Sequence, residues 1–363
     1  MQGRRGRIFG VVPVVIVLMI IGYYFYGWKI GAMLHPDATA YDLETLTALA
    51  SSQIDAGKKS GDFYISGISK NELKEINNYV CSMNGNVSQY IILENTRGGM
   101  HIRLKYDISD NFYVYRLYKY KEPLPSDHPQ ARKLYDKVCE ILEEIIRPNM
   151  SDYDKELAIH DYLVANCEYG YEDFSKADSF RSYGALLHGK AVCNGYAEAM
   201  ALLLSCADVE NAIMTGSAGG DLHAWNRVKI DGKWYQLDAT WDDPVPDRGD
   251  YVGHMYFNVT DDIMDDTHIW NHDDFEICDS MEMNYFERHG LICDHNKFEG
   301  VVINKAANDI NATIEVVLND YTDGYDFSFM QKIQGLTCYQ ISSHPEPYGD
   351  YVYFIIYLNQ RTE

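Results

Sequence analysis

Residues 182–209 read SYGALLHGKAVCNGYAEAMALLLSCADV, and residues 223–240 read HAWNRVKIDGKWYQLDAT. In the first stretch a glycine-containing loop leads into Cys193. Ala197, Met200, Ala201 and Leu204 then recur at the spacing of one buried helix face. The pattern predicts a helix that opens at Cys193. A cysteine at that end meets the positive pole of the helix dipole, which favours thiolate over thiol, and the thiolate is the nucleophile. Gly195 costs a helix about 1 kcal/mol relative to alanine. Its missing side chain is expected to leave room for a substrate backbone.

In the second stretch, Asp231-Gly232 separates two alternating runs, which predicts a hairpin with a two-residue turn. Ile230 then faces Lys233, Trp225 faces Asp238 and His223 faces Thr240. That register puts His223 and Asp238 on one face as diagonal neighbours, about 7–8 Å apart at the backbone and within side-chain reach. An acid so placed fixes the imidazole tautomer. A nucleophile, a base and an orienting acid thus fall within one short stretch, each in a suitable local setting.

These motifs, GKAVCNGYAEAMALLL followed by HAWNRVKIDGKWYQLDATWDDP, resemble the bacterial transglutaminase-like domain, a branch of the papain-like thiol enzymes. The likeness runs upstream through MSDYDKELAIHDYLVANCEYGY and downstream through Tyr256-Phe257-Asn258 to His268, covering roughly Ala131 to Leu291. It implies an α+β fold, with the nucleophile's helix packed on an antiparallel sheet that carries the other two residues. It implies Cys193 as nucleophile, His223 as general acid and base, and Asp238 as the acid that orients His223. The implied chemistry is acyl transfer on protein or peptide amides through a thioester. Water as acceptor gives a peptidase or amidase, and an amine gives cross-linking. Oxyanion or subsite candidates are the Cys193 N–H, Tyr183, Asn194, Gly195, Trp225 and Trp241. Asn194 stands where the family often has Gln or Glu. The rival reading is a non-catalytic cell-surface binding or scaffold module on the same fold.

Outward from this core, helices are expected over Gln130–Ile146 and Ser151–Asn166, the second capped by Ser151. His160 on that second helix reads as a structural or surface residue. Three prolines in Lys121–Pro129 mark a linker. Before it, Asp62–Ile68, Tyr90–Glu94, His101–Asp107 and Asn111–Tyr120 read as extended, and Lys70–Tyr79 has helical spacing. Thr313–Leu318 and Tyr351–Leu358 also read as strands. The expected organisation is a cytoplasmic tip and membrane anchor over 1–34, and a spacer with one helix over 35–60. A small α/β region over 61–125, a transglutaminase-like domain over 130–295 and a strand-rich extension over 296–363 follow.

Residues 8–28 (IFGVVPVVIVLMIIGYYFYGW) carry no formal charge, and Arg4, Arg5 and Arg7 precede them. Such a run spans a hydrocarbon core of ~30 Å as a helix. The positive-inside rule sends everything after it out of the cytoplasm. A single-pass anchor is expected, with secretion after cleavage near Ala38-Thr39-Ala40 as the alternative. The expected partners are the membrane and a protein or peptide substrate, cell-wall peptides included.

The whole chain has 363 residues, 46% of them hydrophobic and 23% charged, with a formal net charge of −23. That composition is globular, and so acidic a surface repels nucleic-acid phosphates. Composition leaves the oligomeric state open. The eight cysteines are dispersed, so they do not form a miniature disulfide scaffold. His268, His272, Cys278, His289, Cys293 and His295 form a loose group with no zinc spacing. Neither a metal nor a cofactor is expected.

Overall fold

The computed structural model describes residues 36–75, 86–170, 177–245, 251–322, 325–344 and 351–359. The apolar run 8–28 lies outside them. Among the described residues no helix is long and apolar enough to cross a membrane. The chain divides into two compact units, residues 1–112 and 113–363.

The N-terminal unit holds β1 (Ala38–Ala40), α1 (Leu43–Asp55), β2 (Ser60–Ile65), β3 (Asn86–Thr96) and β4 (Gly99–Asp107). The sheet order is β1-β2-β4-β3, with β1 parallel to β2 and the other pairs antiparallel. Asp42 caps α1 by accepting from the Thr45 N–H at 2.7 Å, and Leu46, Ala50 and Ile54 form its buried face. Phe63 and Ile65 of β2 alternate inward with Ile102 and Leu104 of β4. Asp62 and Arg103 are register partners and form a bidentate pair at 2.6 and 2.7 Å. The stretch read as a spacer therefore supplies a strand and a helix. Of the helix read over Lys70–Tyr79, the structure has a 3-10 turn at Glu72–Glu75, and residues 76–79 lie outside the described residues.

The sequence reading fails at Asn111–Tyr120, which is helix and not strand: α2 spans Asp110–Tyr120. Its tyrosines and valine have strand propensity, but propensity yields to packing. Val114, Tyr115 and Tyr118 share one helical face and pack into the core that α3 (Ala131–Ile145) also enters. Ala131, Leu134, Val138, Ile141 and Leu142 of α3 are buried at helical spacing. In α4 (Asp152–Asn166), Ser151 and Asp154 form a reciprocal capping box with both bonds at 3.1 Å. Short parallel strands β5 (Glu168–Tyr169) and β6 (Lys190–Ala191) then lead into α5 (Cys193–Cys206).

The central sheet is antiparallel and contains β7 (Glu210–Ala218), β8 (Asp221–Ile230) and β9 (Lys233–Leu237). After α6 (Ala239–Asp242) and α7 (Asp261–Met264), β10 (His268–Ile269) completes the order β10-β7-β8-β9. Asp231 and Gly232 both have positive φ, +50° and +82°, as the tight turn requires. The ladder runs from Ile230 opposite Lys233 to Asn226 opposite Leu237. There it stops, so the expected facing of Trp225 with Asp238 and His223 with Thr240 is not formed. Asp238 leaves the strand and becomes the N-cap of α6. α5 lies against the sheet, with the Asn226 amide donating to the Ala197 carbonyl at 3.0 Å.

The chain ends with α8 (Tyr285–Arg288), β11 (Ile292–Cys293), α9 (His295–Asn308), β12 (Thr313–Leu318), β13 (Tyr339–His344) and β14 (Val352–Leu358). These strands form their own sheet, in the order β11-β12-β14-β13. Met214 and Trp225 of the central sheet share an apolar cluster with Val317 and Tyr353 of this second sheet. The two sheets therefore belong to one packed unit.

Candidate active site

Val192 precedes Cys193 and provides no side-chain cap for α5. The Gly195 and Tyr196 N–H groups bond the Val192 carbonyl at 2.8 and 3.2 Å, while the amides of Cys193 and Asn194, first in the helix, have no carbonyl partner within it. Cys193 is half-buried. Gly195 does not open space for a substrate, which corrects the expectation. A Cβ there would lie 2.7 Å from the Ser179 carbonyl oxygen and 2.8 Å from the Ala191 Cβ. The glycine lets the chain's own 179–181 segment approach the helix. Asn194 is likewise committed inward: its amide nitrogen donates to the Phe180 carbonyl at 2.6 Å and to Glu198 at 3.2 Å.

His223 on β8 and Asp238 after β9 meet through His223 Nε2 and Asp238 Oδ2 at 2.6 Å. The other carboxylate oxygen, Oδ1, accepts from the Thr240 and Trp241 N–H groups at 2.9 and 3.2 Å. The cap that ended the ladder is thus the device that aims the acid. Nε2 is thus committed to Asp238, and Cys193 lies near enough to the ring to act on its charge. Burial alone would lower the His223 pKa. The Asp238 charge and hydrogen bond, then the Cys193 contact, overcome it and push it up to about 10. Burial alone would raise the Asp238 carboxyl. The His223 charge and the bonds from His223 and His268 instead hold it well below the usual carboxylate range.

His268 was not among the candidates singled out as site residues. Its Nε2 lies 3.0 Å from Asp238 Oδ2, the same oxygen that accepts from His223. The only sequence signal was that the resemblance extended to it, since 30 residues separate it from Asp238. The other members of its loose group disperse. His272 pairs with Asp265, His295 with Asp320, and His289 with the Tyr285 carbonyl, while Cys278 and Cys293 are buried.

The aromatic candidates divide. The Trp225 indole N–H donates to Gln236 at 2.8 Å, so it is not free for an oxyanion. Its ring instead stacks near His223, with centroids 6.0 Å apart and planes 18° from parallel. The Tyr183 side chain is buried in the core. Trp241 lies against both imidazoles, 5.9 Å from His223 and 4.7 Å from His268. It also lines a cavity of about 530 Å³ whose walls include Leu222, His223, Tyr169, Tyr353 and His344. The C-terminal sheet therefore supplies one wall of the cavity that reaches the imidazole.

The described cysteines are all unbridged. Burial pushes Cys167 and Cys206 up to about 12 and Cys293 up to about 11, which keeps them as thiols. Two sets of potential metal-ligand atoms converge among the described residues, His223–Asp238–His268 and His160–Asp161–His254. In each set a carboxylate oxygen already bonds both imidazoles.

Comparison with known proteins finds the following similarities. A segment of Kyphoscoliosis peptidase from Mus musculus is 27% identical over 116 residues, which is 28% of this chain and 18% of that protein. The chain thus spans less than a fifth of that relative's length. A solved structure described as a TGase has a TM-score of 0.27 at 17% identity, covering 56% of this chain and 59% of that one. Another, assigned as a cysteine protease from Cytophaga hutchinsonii, has a TM-score of 0.27 at 19% identity, covering 44% of this chain and 63% of that one. Residues 140–239, which include Cys193, His223 and Asp238, match the family model of the Transglutaminase-like superfamily, and the protein therefore carries a transglutaminase-like domain.

Proposed function

We propose that this protein is a thiol acyl-transfer enzyme acting on protein or peptide amide bonds through Cys193, His223 and Asp238. The observation that carries the reading is His223 bonded to the Asp238 carboxylate, with Cys193 at the start of α5 close enough to act on the ring's charge. His223 takes the Cys193 proton as sulfur attacks the amide carbonyl. The tetrahedral oxyanion is met by the amides at the start of α5. The C–N bond breaks, His223 gives its proton to the departing nitrogen, and a thioester remains. Water or an amine then attacks the thioester carbon, the C–S bond breaks, and the proton returns to sulfur. Asp238 holds the imidazole orientation and offsets the charge it acquires.

The uncharged run 8–28 behind three arginines supports placing this chemistry outside the cytoplasm on a single-pass anchor. Cell-surface proteins and cell-wall peptides are then the accessible substrates. A second reading, a non-catalytic surface module, is favoured by one observation: the described lining of the cavity reaches His223 but not Cys193. One experiment separates the two. The purified protein is incubated with labelled peptides, with and without a primary amine, beside Cys193→Ala. Turnover that requires Cys193 is expected, and product type decides hydrolysis against amine transfer. If iodoacetamide labels Cys193 no faster than Cys139 or Cys338 near neutral pH, the enzyme reading is wrong.

A further inference from the structure

We infer that His268 is a positioning residue for the acid of the site: its imidazole donates from Nε2 to Asp238 and keeps that carboxylate aimed at His223. The inference rests on the acyl-transfer reading for its functional meaning, and on geometry for its physical content.

Asp238 Oδ2 receives His223 Nε2 at 2.6 Å and His268 Nε2 at 3.0 Å. The opposite nitrogen of His268, Nδ1, lies 2.8 Å from the Thr267 hydroxyl. The same hydroxyl also lies 3.5 Å from the Met264 carbonyl, but Nδ1 is its nearer acceptor; donation there leaves the His268 proton on Nε2, where it points at the carboxylate. The two histidines therefore differ in kind. The His223 ring has a group that exchanges protons, Cys193, in its neighbourhood. The second nitrogen of His268 faces a hydroxyl that does not titrate in the working range.

The surroundings hold His268 in place. Its ring is enclosed by Trp225 at 5.0 Å, Trp241 at 4.7 Å and Tyr256 at 5.5 Å. It is 1% exposed. Pairing of β10 with β7, His268 opposite Ala218, sets its backbone. The groups facing Asp238 are His223 from β8, His268 from β10, and the Thr240 and Trp241 amides of α6. The nearby Asp242 carboxylate turns away to His160 and to the Tyr256 N–H. The Tyr256 hydroxyl reaches Thr267 at 3.3 Å. Among the described residues no lysine or arginine pairs with Asp238, so its ionisation depends on these donors.

Loss of one charge-assisted hydrogen bond lets Asp238 protonate at higher pH. His268→Phe keeps the ring's bulk and removes the donor. His268→Gln restores an N–H near the same point. Thr267→Val keeps His268 but releases its tautomer. The readout is the pH dependence of Cys193 alkylation by iodoacetamide, followed by peptide mass spectrometry on the full-length chain. The acid limb is expected to move up by about one pH unit in His268→Phe. It should move less, in the same direction, in Thr267→Val, and return toward wild type in His268→Gln. An acid limb that stays put in the folded Phe and Val variants overturns the inference, whatever happens to melting temperature.

Nitrogen NMR of histidine-labelled wild-type protein tests the same point without any variant. It should show the His268 proton on Nε2, and a proton on Nδ1 overturns the inference. Peptide turnover separates the two proposals. Absent turnover with a normal alkylation limb and the Nε2 tautomer defeats the acyl-transfer reading and leaves the His268 role standing.

Discussion

The C-terminal unit builds one arrangement twice, a carboxylate oxygen shared by two imidazoles. In one cluster Asp238 lies between His223 and His268. In the other Asp161 lies between His160 at 3.0 Å and His254 at 3.1 Å. The difference is at the outer nitrogens. His160 turns its second nitrogen to Asp242 at 3.2 Å, and His254 turns its own to Glu315 at 2.7 Å. Both imidazoles there are closed by carboxylates on each side, and His254 stacks flat on Tyr285 with centroids 3.7 Å apart. Around Asp238 a hydroxyl meets the outer nitrogen of His268, a thiol lies near His223, and an open cavity reaches one ring. A histidine with a carboxylate on each nitrogen is fixed as a cation and ties elements together. One with a nitrogen left for sulfur can pass a proton.

Substitutions can break this contrast. The largest effect is expected from Cys193→Ala, which should lower peptide turnover to background while melting temperature stays near wild type; retained turnover would remove the sulfur from the mechanism. Asp238→Asn should follow, with kcat down about 10³-fold or more because the imidazole loses its fixed tautomer. Steady-state kinetics at a single pH checks this, and an unchanged kcat would count against Asp238. In the second cluster the effect should be on stability. His254→Ala leaves Glu315 buried without its cationic partner and is expected to cost about 3–5 kcal/mol. Urea denaturation measures it, and turnover per folded molecule should be preserved. A His254→Ala protein that unfolds at the wild-type midpoint would show that the second cluster ties nothing together.

The smallest effect is a pH dependence. Burial would lower the His254 pKa, but the Glu315 charge and the Asp161 bond push it from 6.5 up to about 10. A raised histidine gives its full stabilisation below its unfolded value and loses it as pH rises through the folded one. Thermal stability should therefore fall as pH climbs from near 7 through about 10, and the fall should shrink in His254→Ala. Equal slopes in both proteins would assign the alkaline loss to other groups.

Legibility followed the range of the interaction. The helix opening at Cys193, the Ser151 cap and the Asp231-Gly232 turn depend on residues a few positions apart, and each was readable. α2 was misread because its valine and tyrosines have strand propensity, and only its packing against the helical core selects helix. Gly195 and Trp225 were assigned to substrate because sequence shows a missing side chain or a donor, not what already fills the space or accepts the proton. Residues 182–240 by themselves determined which groups could do chemistry and roughly how the hairpin would present His223. Tertiary structure alone decided that Asp238 leaves its strand to cap α6, that His268 arrives from β10 to share it, and that the C-terminal sheet walls the cavity. Those contacts join residues far apart in the chain, and local spacing carries no record of a hydrogen bond closed by folding.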